Sequence, residues 1–406
     1  MKKINLLTLN INGMLLQFLY WFAVCTYMAF MITTLIDYGW SAGGAAMAIT
    51  IMSAVGMFVQ PVYGFICDKL QSEKKLTITL LIIAIVFFAL FPFSLRSGNM
   101  ILIFLNMTGI AVTGVQVNGL LDAWIVGLKQ EIPSVNYGLI RGCGSFAYAL
   151  SAQLMGTITV LYGHDARIWI GGAATALTAI AAITFRSAKR THIKGALETE
   201  EKQNKNLKGA EALKLVFSSK PYCLLLAVSF FLFLSSMAIT TMIQLLARDF
   251  GGSTAHIGTA TAVMAVSEVP IMFLMAVLIR KFGYKKLLIL CSAAYVVRMI
   301  MTASVVSVNG LIYVQLFQAI TYAVLLPLSM SYLSIIVDER VRSTAVTIYC
   351  AITAALTNIL SNLITSAFLS AGYSAGSVII IFVIFAIIGL LLTLYGLFRK
   401  IWDIRT

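Results

Sequence analysis

Residues 264–298 read MAVSEVPIMFLMAVLIRKFGYKKLLILCSAAYVVR, and this stretch decides the fold. Two apolar runs, residues 254–279 and 286–306, flank a loop rich in lysine and arginine. Each run is long enough to cross the ~30 Å hydrocarbon core of a bilayer as a helix. Because basic loops stay on the cytoplasmic side of a membrane, the pattern predicts a helical hairpin with its turn at the cytoplasmic surface.

Each helix of this hairpin carries one charge inside the membrane. Glu268 lies twelve residues before Arg280, and Arg298 lies twelve residues after Lys286. At a rise of 1.5 Å per residue both charges are about 18 Å from the same surface, so they can satisfy each other near the midplane. Charges at this depth are costly and usually functional. The alternative is a buried pair that only fixes helix packing.

The composition extends this prediction to the whole chain. Of 406 residues 60% are hydrophobic and 11% are charged, which is unlike a soluble protein. We expect an all-α polytopic membrane protein with twelve transmembrane helices in two six-helix bundles. The predicted spans are residues 10–35, 43–67, 76–95, 99–126, 137–162, 167–186, 221–247, 254–279, 286–306, 309–336, 343–370 and 374–398. A polar cytoplasmic linker, residues 187–220, separates an N-terminal bundle, residues 1–186, from a C-terminal bundle, residues 221–406.

The placement of the basic residues argues against a nucleic-acid partner despite the net charge of +14. Most of the 29 Lys and Arg fall on alternate loops and the termini, whereas Arg96, Arg167 and Arg248 fall on the opposite side. This positive-inside pattern predicts cytoplasmic termini. We expect a multi-pass protein of the cell membrane, the inner or plasma membrane, of a bacterium. Lys2 and Lys3 precede a long apolar run with no small-residue cleavage site, which we interpret as a retained first helix.

Cysteine and histidine give no sign of a metal or cofactor. The six Cys are scattered singly without a CxxC pair, and the three His form no cluster. Phosphate-loop, dinucleotide-binding and nucleophile motifs are also absent from the sequence. We therefore expect no metal, no cofactor and no enzymatic activity.

The N-terminal half carries a second set of intramembrane polar residues. Asp122 and Arg141 both lie about 10 Å from the cytoplasmic surface on consecutive helices. Asn118 precedes Asp122 by four residues and Tyr148 follows Arg141 by seven, so each pair shares a helix face. A carboxylate, an amide, a guanidinium and an aromatic ring suit the hydroxyls and the apolar face of a sugar. Alternatively, Arg141 only extends to the membrane interface.

Four stretches resemble a known family. They are VQPVYGFICDKL (Val59–Leu70), YGLIRGCGSFAYAL (Tyr137–Leu150), SEVPIMF (residues 267–273) and AAYVVRMI (residues 293–300). In order and spacing they resemble the major facilitator superfamily, in particular the lactose-permease-like branch of oligosaccharide:proton symporters and related nucleoside and phenylpropionate permeases. The resemblance implies that Asp68 and Lys69 open a gating loop, that Tyr148 stands at a sugar-stacking position, and that Glu268 and Arg298 are coupling residues.

The chain also departs from that branch. Gln318 and Thr321 stand where the branch has the His and Glu that carry the proton, and spans seven and eleven lack its charged pairs. If transport is coupled to protons, Glu268 or Asp122 is therefore the expected carrier. Uniport, or coupling to another ion, remains open.

Together these observations predict a secondary active transporter that imports a small polar solute, a sugar or oligosaccharide, by alternating access with proton coupling. Substrate-binding candidates are Asn118, Asp122, Arg141, Tyr148, Gln244, Glu268 and Gln318, and coupling candidates are Glu268, Arg298 and Asp122. The expected partners are this solute, protons and the lipid bilayer, with the chain as a monomer. Alternatives are a nucleoside or aromatic-acid permease, a multidrug-type exporter, a uniporter, or a membrane sensor on the same fold.

Overall fold

The computed structural model describes residues 6–187 and 209–402, apart from the side chains of residues 68, 209, 210 and 343. In this part of the chain ten helices are long and apolar enough to cross a membrane. Their bounds are Leu6–Asp37, Ala42–Cys67, Glu73–Arg96, Met100–Glu131, Tyr137–Thr184, Lys220–Asp249, Thr254–Ser304, Val308–Ile336, Thr344–Ser370 and Ala375–Phe398.

Two of these helices are hairpins of two spans each. Tyr137–Thr184 has 48 residues and Thr254–Ser304 has 51, which at 1.5 Å per residue is over twice the ~30 Å hydrocarbon core. Gly163 (φ 80°, ψ 177°) and Gly283 (φ 75°, ψ 161°) turn them back, in a backbone conformation essentially restricted to glycine. Spans 5 and 6 are thus residues 137–162 and 164–184, and spans 8 and 9 are residues 254–282 and 284–304.

With these hairpins resolved, the described residues, 6–187 and 209–402, form twelve membrane-spanning helices, numbered here 1 to 12 in chain order. This confirms the predicted fold class. Many spans begin at a polar residue whose side chain accepts a hydrogen bond from a backbone amide of the first helical turn, which otherwise lacks a partner. These residues are Ser72, Asn99, Asn136, Ser219, Ser307 and Ser374.

Four spans are interrupted along their length. Span 1 breaks at residues 29–30, and span 7 breaks at Ala238. Spans 4 and 10 contain the 3-10 segments Val115–Val117 and Gln315–Ile320. Span 11 differs, because it contains a six-residue π-helix, Ala351–Leu356. Such irregular segments inside long helices often mark hinges and functional positions.

Polar side chains from neighbouring spans bind the backbone at these breaks. The hydroxyl of Tyr20 in span 1 donates to the carbonyl oxygen of Val115, 2.6 Å away, at the break in span 4. The fully buried Arg167 at the start of span 6 donates to the carbonyl oxygen of Thr26 and to the hydroxyl of Thr34, on either side of the break in span 1. A broken helix is tolerated at membrane depth because such partners satisfy the freed groups.

The chain divides into two compact units. Unit 1 comprises the described residues of Met1–Trp40, Ile51–Glu198 and Ser253–Ala262, and unit 2 comprises those of Ser41–Thr50, Thr199–Gly252 and Val263–Thr406. Each unit thus includes the beginning of one span from the other half of the sequence, span 8 in unit 1 and span 2 in unit 2. Most of the predicted linker, residues 187–220, lies outside the described residues, and the predicted bundle boundaries stay predictions.

Candidate functional site

In unit 1 the predicted carboxylate and guanidinium lie together. Arg141 Nε is 3.8 Å from Asp122 Oδ2, and each side chain is 33% exposed. The fully buried Gln17 in span 1 donates from Nε2 to Asp122 Oδ1 at 3.1 Å. Spans 1 and 5 therefore both hold this carboxylate, while a third of each charged side chain stays exposed.

An aromatic pair completes this cluster. The guanidinium carbon of Arg141 lies 4.5 Å from the centroid of the Trp21 ring, a cation–π contact. Tyr148 packs edge-on against Trp21 with the ring centroids 6.2 Å apart. Gly144 makes room for this indole, because a Cβ there would lie 2.4 Å from Trp21 Cδ1. Trp21 thus connects Arg141 with Tyr148.

The sequence prediction placed Asn118 in this cluster and overlooked Gln17 and Trp21. Asn118 begins the helix that follows the break in span 4, and its Oδ1 accepts from the amide of its neighbour Gly119 at 2.6 Å. Gln17 and Trp21 lie four residues apart on one face of span 1. A glutamine inside an apolar run, one turn before a tryptophan, was the available signal.

Unit 2 contains a second cluster, which is centred on Arg298. This side chain is fully buried in span 9. Its Nη1 donates to Gln318 Oε1 and to Thr321 Oγ1, the latter at 3.1 Å, and its Nη2 donates to Gln315 Oε1 at 2.9 Å. A guanidinium only donates, so both amide oxygens must face it. These charge-assisted bonds offset the cost of the buried charge and connect span 9 to the 3-10 segment of span 10.

Gln318 connects this arginine to the predicted coupling carboxylate. Its Nε2 donates to Glu268 Oε1 at 2.7 Å, while its Oε1 accepts from Arg298. The sequence prediction paired Glu268 with Arg298 by their matched depth, and the structure places the amide of Gln318 between them. Both hydrogen bonds therefore run in the same direction, because Arg298 donates to the amide of Gln318 and this amide donates to the carboxylate of Glu268.

The remaining predicted residues lie outside these two clusters. Gln244 is buried in span 7 and donates from Nε2 to the carbonyl oxygen of Thr240 at 3.4 Å. Lys69 is exposed in the last turn of the helix that forms span 2, with its ammonium 5.0 Å from the centroid of the Phe65 ring. The side chain of Asp68 is outside the described residues, so the gating role of this loop stays a prediction.

The residues that the structure describes offer no site for a metal. Among them, no group of three or more His, Cys, Asp and Glu side chains could hold a metal ion. The carboxylates of the two clusters are instead held by arginine and glutamine, through contacts that suit hydroxyl and carbonyl groups of a solute.

The twelve membrane-spanning helices of the described residues, with one partly exposed and one buried polar cluster, define a class of protein, the polytopic transporters of small molecules. A family model described as the MFS_1 like family matches residues 11–378, most of the chain. The chain belongs to this family. It is a transporter of the major facilitator superfamily and not an enzyme, as the sequence predicted.

Two relatives have sequences similar to this chain. The maltose permease of Geobacillus stearothermophilus is 26% identical over 311 residues, which cover 76% of this chain and 75% of the permease. The uncharacterized transporter YwbF of Bacillus subtilis (strain 168) is 25% identical over 314 residues, 77% of this chain and 74% of YwbF.

Solved structures agree with the fold. The nucleoside transporter NupG superposes with a TM-score of 0.75 at 14% identity, covering 99% of this chain and 100% of NupG. A D-xylose-proton symporter superposes with a TM-score of 0.68 at 15% identity, covering 96% of each chain. At these identities the likeness concerns the fold alone.

Proposed function

We propose that this chain is a secondary active transporter that imports a sugar or oligosaccharide together with protons. The observation that carries the proposal is the partly exposed Asp122–Arg141 pair beside the Trp21 ring. A carboxylate accepts hydrogen bonds from sugar hydroxyls, a guanidinium donates to them, and an aromatic ring packs on the apolar face of a sugar. The similarity to a maltose permease supports the same substrate class.

Glu268 is the better placed of the two carboxylates for carrying a proton. Protonation of Asp122 would remove the negative charge 3.8 Å from Arg141. Arg298, in contrast, is bound by the neutral oxygens of Gln315, Gln318 and Thr321. Those bonds persist when Glu268 gains or loses a proton. Gln318 Nε2, which donates to Glu268 Oε1 at 2.7 Å, holds this carboxylate next to the arginine without neutralising it.

A nucleoside is the second candidate substrate. The rings of Trp21 and Tyr148 lie in one aromatic cluster, and a planar base stacks on such rings as readily as a sugar does. Uniport, export and transport of an aromatic acid are further outcomes that an uptake assay separates.

We further propose that the protein works as a monomer in a bacterial plasma membrane with both termini in the cytoplasm. The orientation is supported by the distribution of the 29 Lys and Arg, most of which fall on alternate loops and the termini, and the bacterial setting by the two bacterial relatives. Alternating access between the two membrane faces then delivers solute and proton to the cytoplasm.

Uptake into vesicles of the purified protein tests these proposals. The panel is labelled maltose, glucose, xylose, uridine and phenylpropionate, each with and without an inward proton gradient. Gradient-driven accumulation of a sugar is the expected result. Equilibration without accumulation would replace symport by uniport, and accumulation of uridine alone would favour the nucleoside. If no neutral solute enters, the proposed substrate class is wrong.

A further inference from the structure

Spans 7 and 11 carry a neutral polar cluster that the proposed site does not use. It consists of Thr241 in span 7 and of Asn358 and Asn362 in span 11. Both spans are irregular at this point. The helix Lys220–Met237 ends just before the break at Ala238, and the π-helix Ala351–Leu356 ends two residues before Asn358. Irregular helical segments often occur at functional positions, and two of them lie beside this polar cluster.

The orientation of the Asn362 amide follows from a single fixed acceptor. Asn362 Nδ2 lies 2.9 Å from the main-chain carbonyl oxygen of Asn358, which can only accept. The atom facing that carbonyl must therefore be the nitrogen. Asn362 Oδ1 then faces Thr241, whose hydroxyl donates to it at 2.8 Å. A flipped Asn362 amide would place Oδ1 against that carbonyl oxygen, two acceptors without a donor, in a position where both side chains are buried.

The orientation of Asn358 follows in turn. Asn362 Nδ2 also lies 3.2 Å from Asn358 Oδ1, so this second amide must present its oxygen to Asn362. Its own Nδ2 points away from the cluster and lies 4.0 Å from the Met237 sulphur. A thioether is a weak acceptor, and this distance is at the limit of a sulphur hydrogen bond. The polar chain therefore ends in an amide nitrogen with two N–H donors against a methionine.

The local backbone explains how a donor comes to this position. A π-helical turn holds one residue more than an α-helical turn, so the residues after it are rotated by roughly 100° relative to an uninterrupted α-helix. Asn358 is half-buried, unlike the fully buried Asn362 one turn later. The Asn358 side chain is thus partly exposed, while the Asn362 and Thr241 side chains that orient it are buried.

We propose that Asn358 is a substrate-binding residue, whose amide N–H groups donate to a hydroxyl, ring or carbonyl oxygen of a neutral polar solute. Thr241 and Asn362 are positioning residues, because they fix which end of the amide faces the solute. This inference rests on the proposed function and extends its binding site to spans 7 and 11. It also sets a selectivity, since an amide nitrogen favours oxygen acceptors and offers nothing to an ammonium group.

The test exchanges the donor for an acceptor of the same shape. We compare Asn358→Asp, which removes both N–H donors, and Asn358→Leu, which is apolar, with the matched control Met237→Leu, which keeps the amide and removes only the sulphur. Each variant is measured with whichever of maltose, glucose, xylose and uridine the wild-type protein transports. The loss of one hydrogen bond corresponds to roughly a tenfold higher KM in Asn358→Leu, and we expect a larger increase in Asn358→Asp. The KM of Met237→Leu stays within about twofold.

Deoxy analogues of that solute separate binding from a structural role. We expect one analogue to bind about tenfold more weakly than its parent to the wild-type protein, and this difference to vanish in Asn358→Leu. If Asn358→Leu does not fold, Asn358→Ala, which is shorter and also lacks the donor, carries the same comparison. An unchanged KM in Asn358→Asp, or deoxy differences that persist in the variants, would overturn the inference. If the wild-type protein transports none of the four solutes, the proposed function falls and this inference falls with it.

Discussion

The substitution Glu268→Gln tests proton coupling with little change to the structure. A glutamine keeps an oxygen where Glu268 Oε1 accepts from Gln318 Nε2 at 2.7 Å. The three hydrogen bonds from Arg298 to Gln315, Gln318 and Thr321 do not involve residue 268. The variant therefore loses the group that exchanges a proton while the buried network of spans 9 and 10 stays intact. Folding and solute exchange remain measurable.

The size of the effect follows from the free energy of the gradient. A difference of one pH unit stores about 1.4 kcal/mol for each proton transferred. Symport of one proton per solute converts this energy into about a tenfold accumulation at equilibrium. Without a proton-carrying group the gradient does no work on the solute. We expect the ratio of the solute concentration inside the vesicles to that outside to fall from about 10 in the wild-type protein to about 1 in Glu268→Gln.

The assay measures accumulation and counterflow in vesicles at one internal pH and two external pH values. Asp122→Asn is the matched control, because it neutralises the intramembrane carboxylate of the other cluster. It is expected to weaken solute binding while accumulation at saturating solute still follows the gradient. Tenfold accumulation by Glu268→Gln would refute the assignment of the proton to this residue. If Asp122→Asn alone loses gradient-driven accumulation, the residue that carries the proton is Asp122 and not Glu268.

Three further substitutions test unit 1. Arg141→Ala removes the guanidinium that contacts both Asp122 and the Trp21 ring. We expect the affinity for the solute to fall at least tenfold while the protein still folds. Unchanged affinity would mean that Arg141 only extends to the membrane interface. Gly144→Ala places a Cβ 2.4 Å from Trp21 Cδ1. Because this Cβ displaces the indole, we expect KM to rise. In the control Gly138→Ala the nearest atom is 3.6 Å from the new Cβ, and we expect no change in KM. Gly163→Ala forces alanine into a conformation with φ of 80° and should destabilise the protein by about 1–3 kcal/mol in reversible unfolding from mixed micelles; equal stability would contradict this account of the turn.

The helices could be predicted from the sequence because each of them depends on a local property of the chain. A span is an apolar run of sufficient length, and the basic loop at residues 280–286 predicts the division between spans 8 and 9, which the structure places at the turn of Gly283. The depth of a residue in the membrane also depends only on its position along its own helix. Counting residues from the surface placed Asp122 and Arg141 at one level, and their side chains lie 3.8 Å apart.

Contacts that depend on a third helix could not be predicted in this way. Glu268 and Arg298 share a depth, but Gln318, which lies fifty residues after Glu268, hydrogen-bonds both of them. The rotation of each helix about its axis decides such contacts. That rotation changes where a span is interrupted, as at the 3-10 segment Gln315–Ile320. An apolar pattern contains no signal for these interruptions, and therefore none for the side chains that meet at them.

The interruptions of spans 1, 4, 7 and 10 recur with a spacing of three spans. The period is half that of the two six-span halves of the sequence. It indicates an ancestry in which a three-span segment duplicated to six and then to twelve, a nesting known for this superfamily. Each three-span segment has an interruption in its first helix, while the polar residues at the breaks differ, with Arg167 at one break and Arg298 at another. The interrupted backbone is thus common to the four segments, and the side chains at each break are what distinguishes one segment from the next.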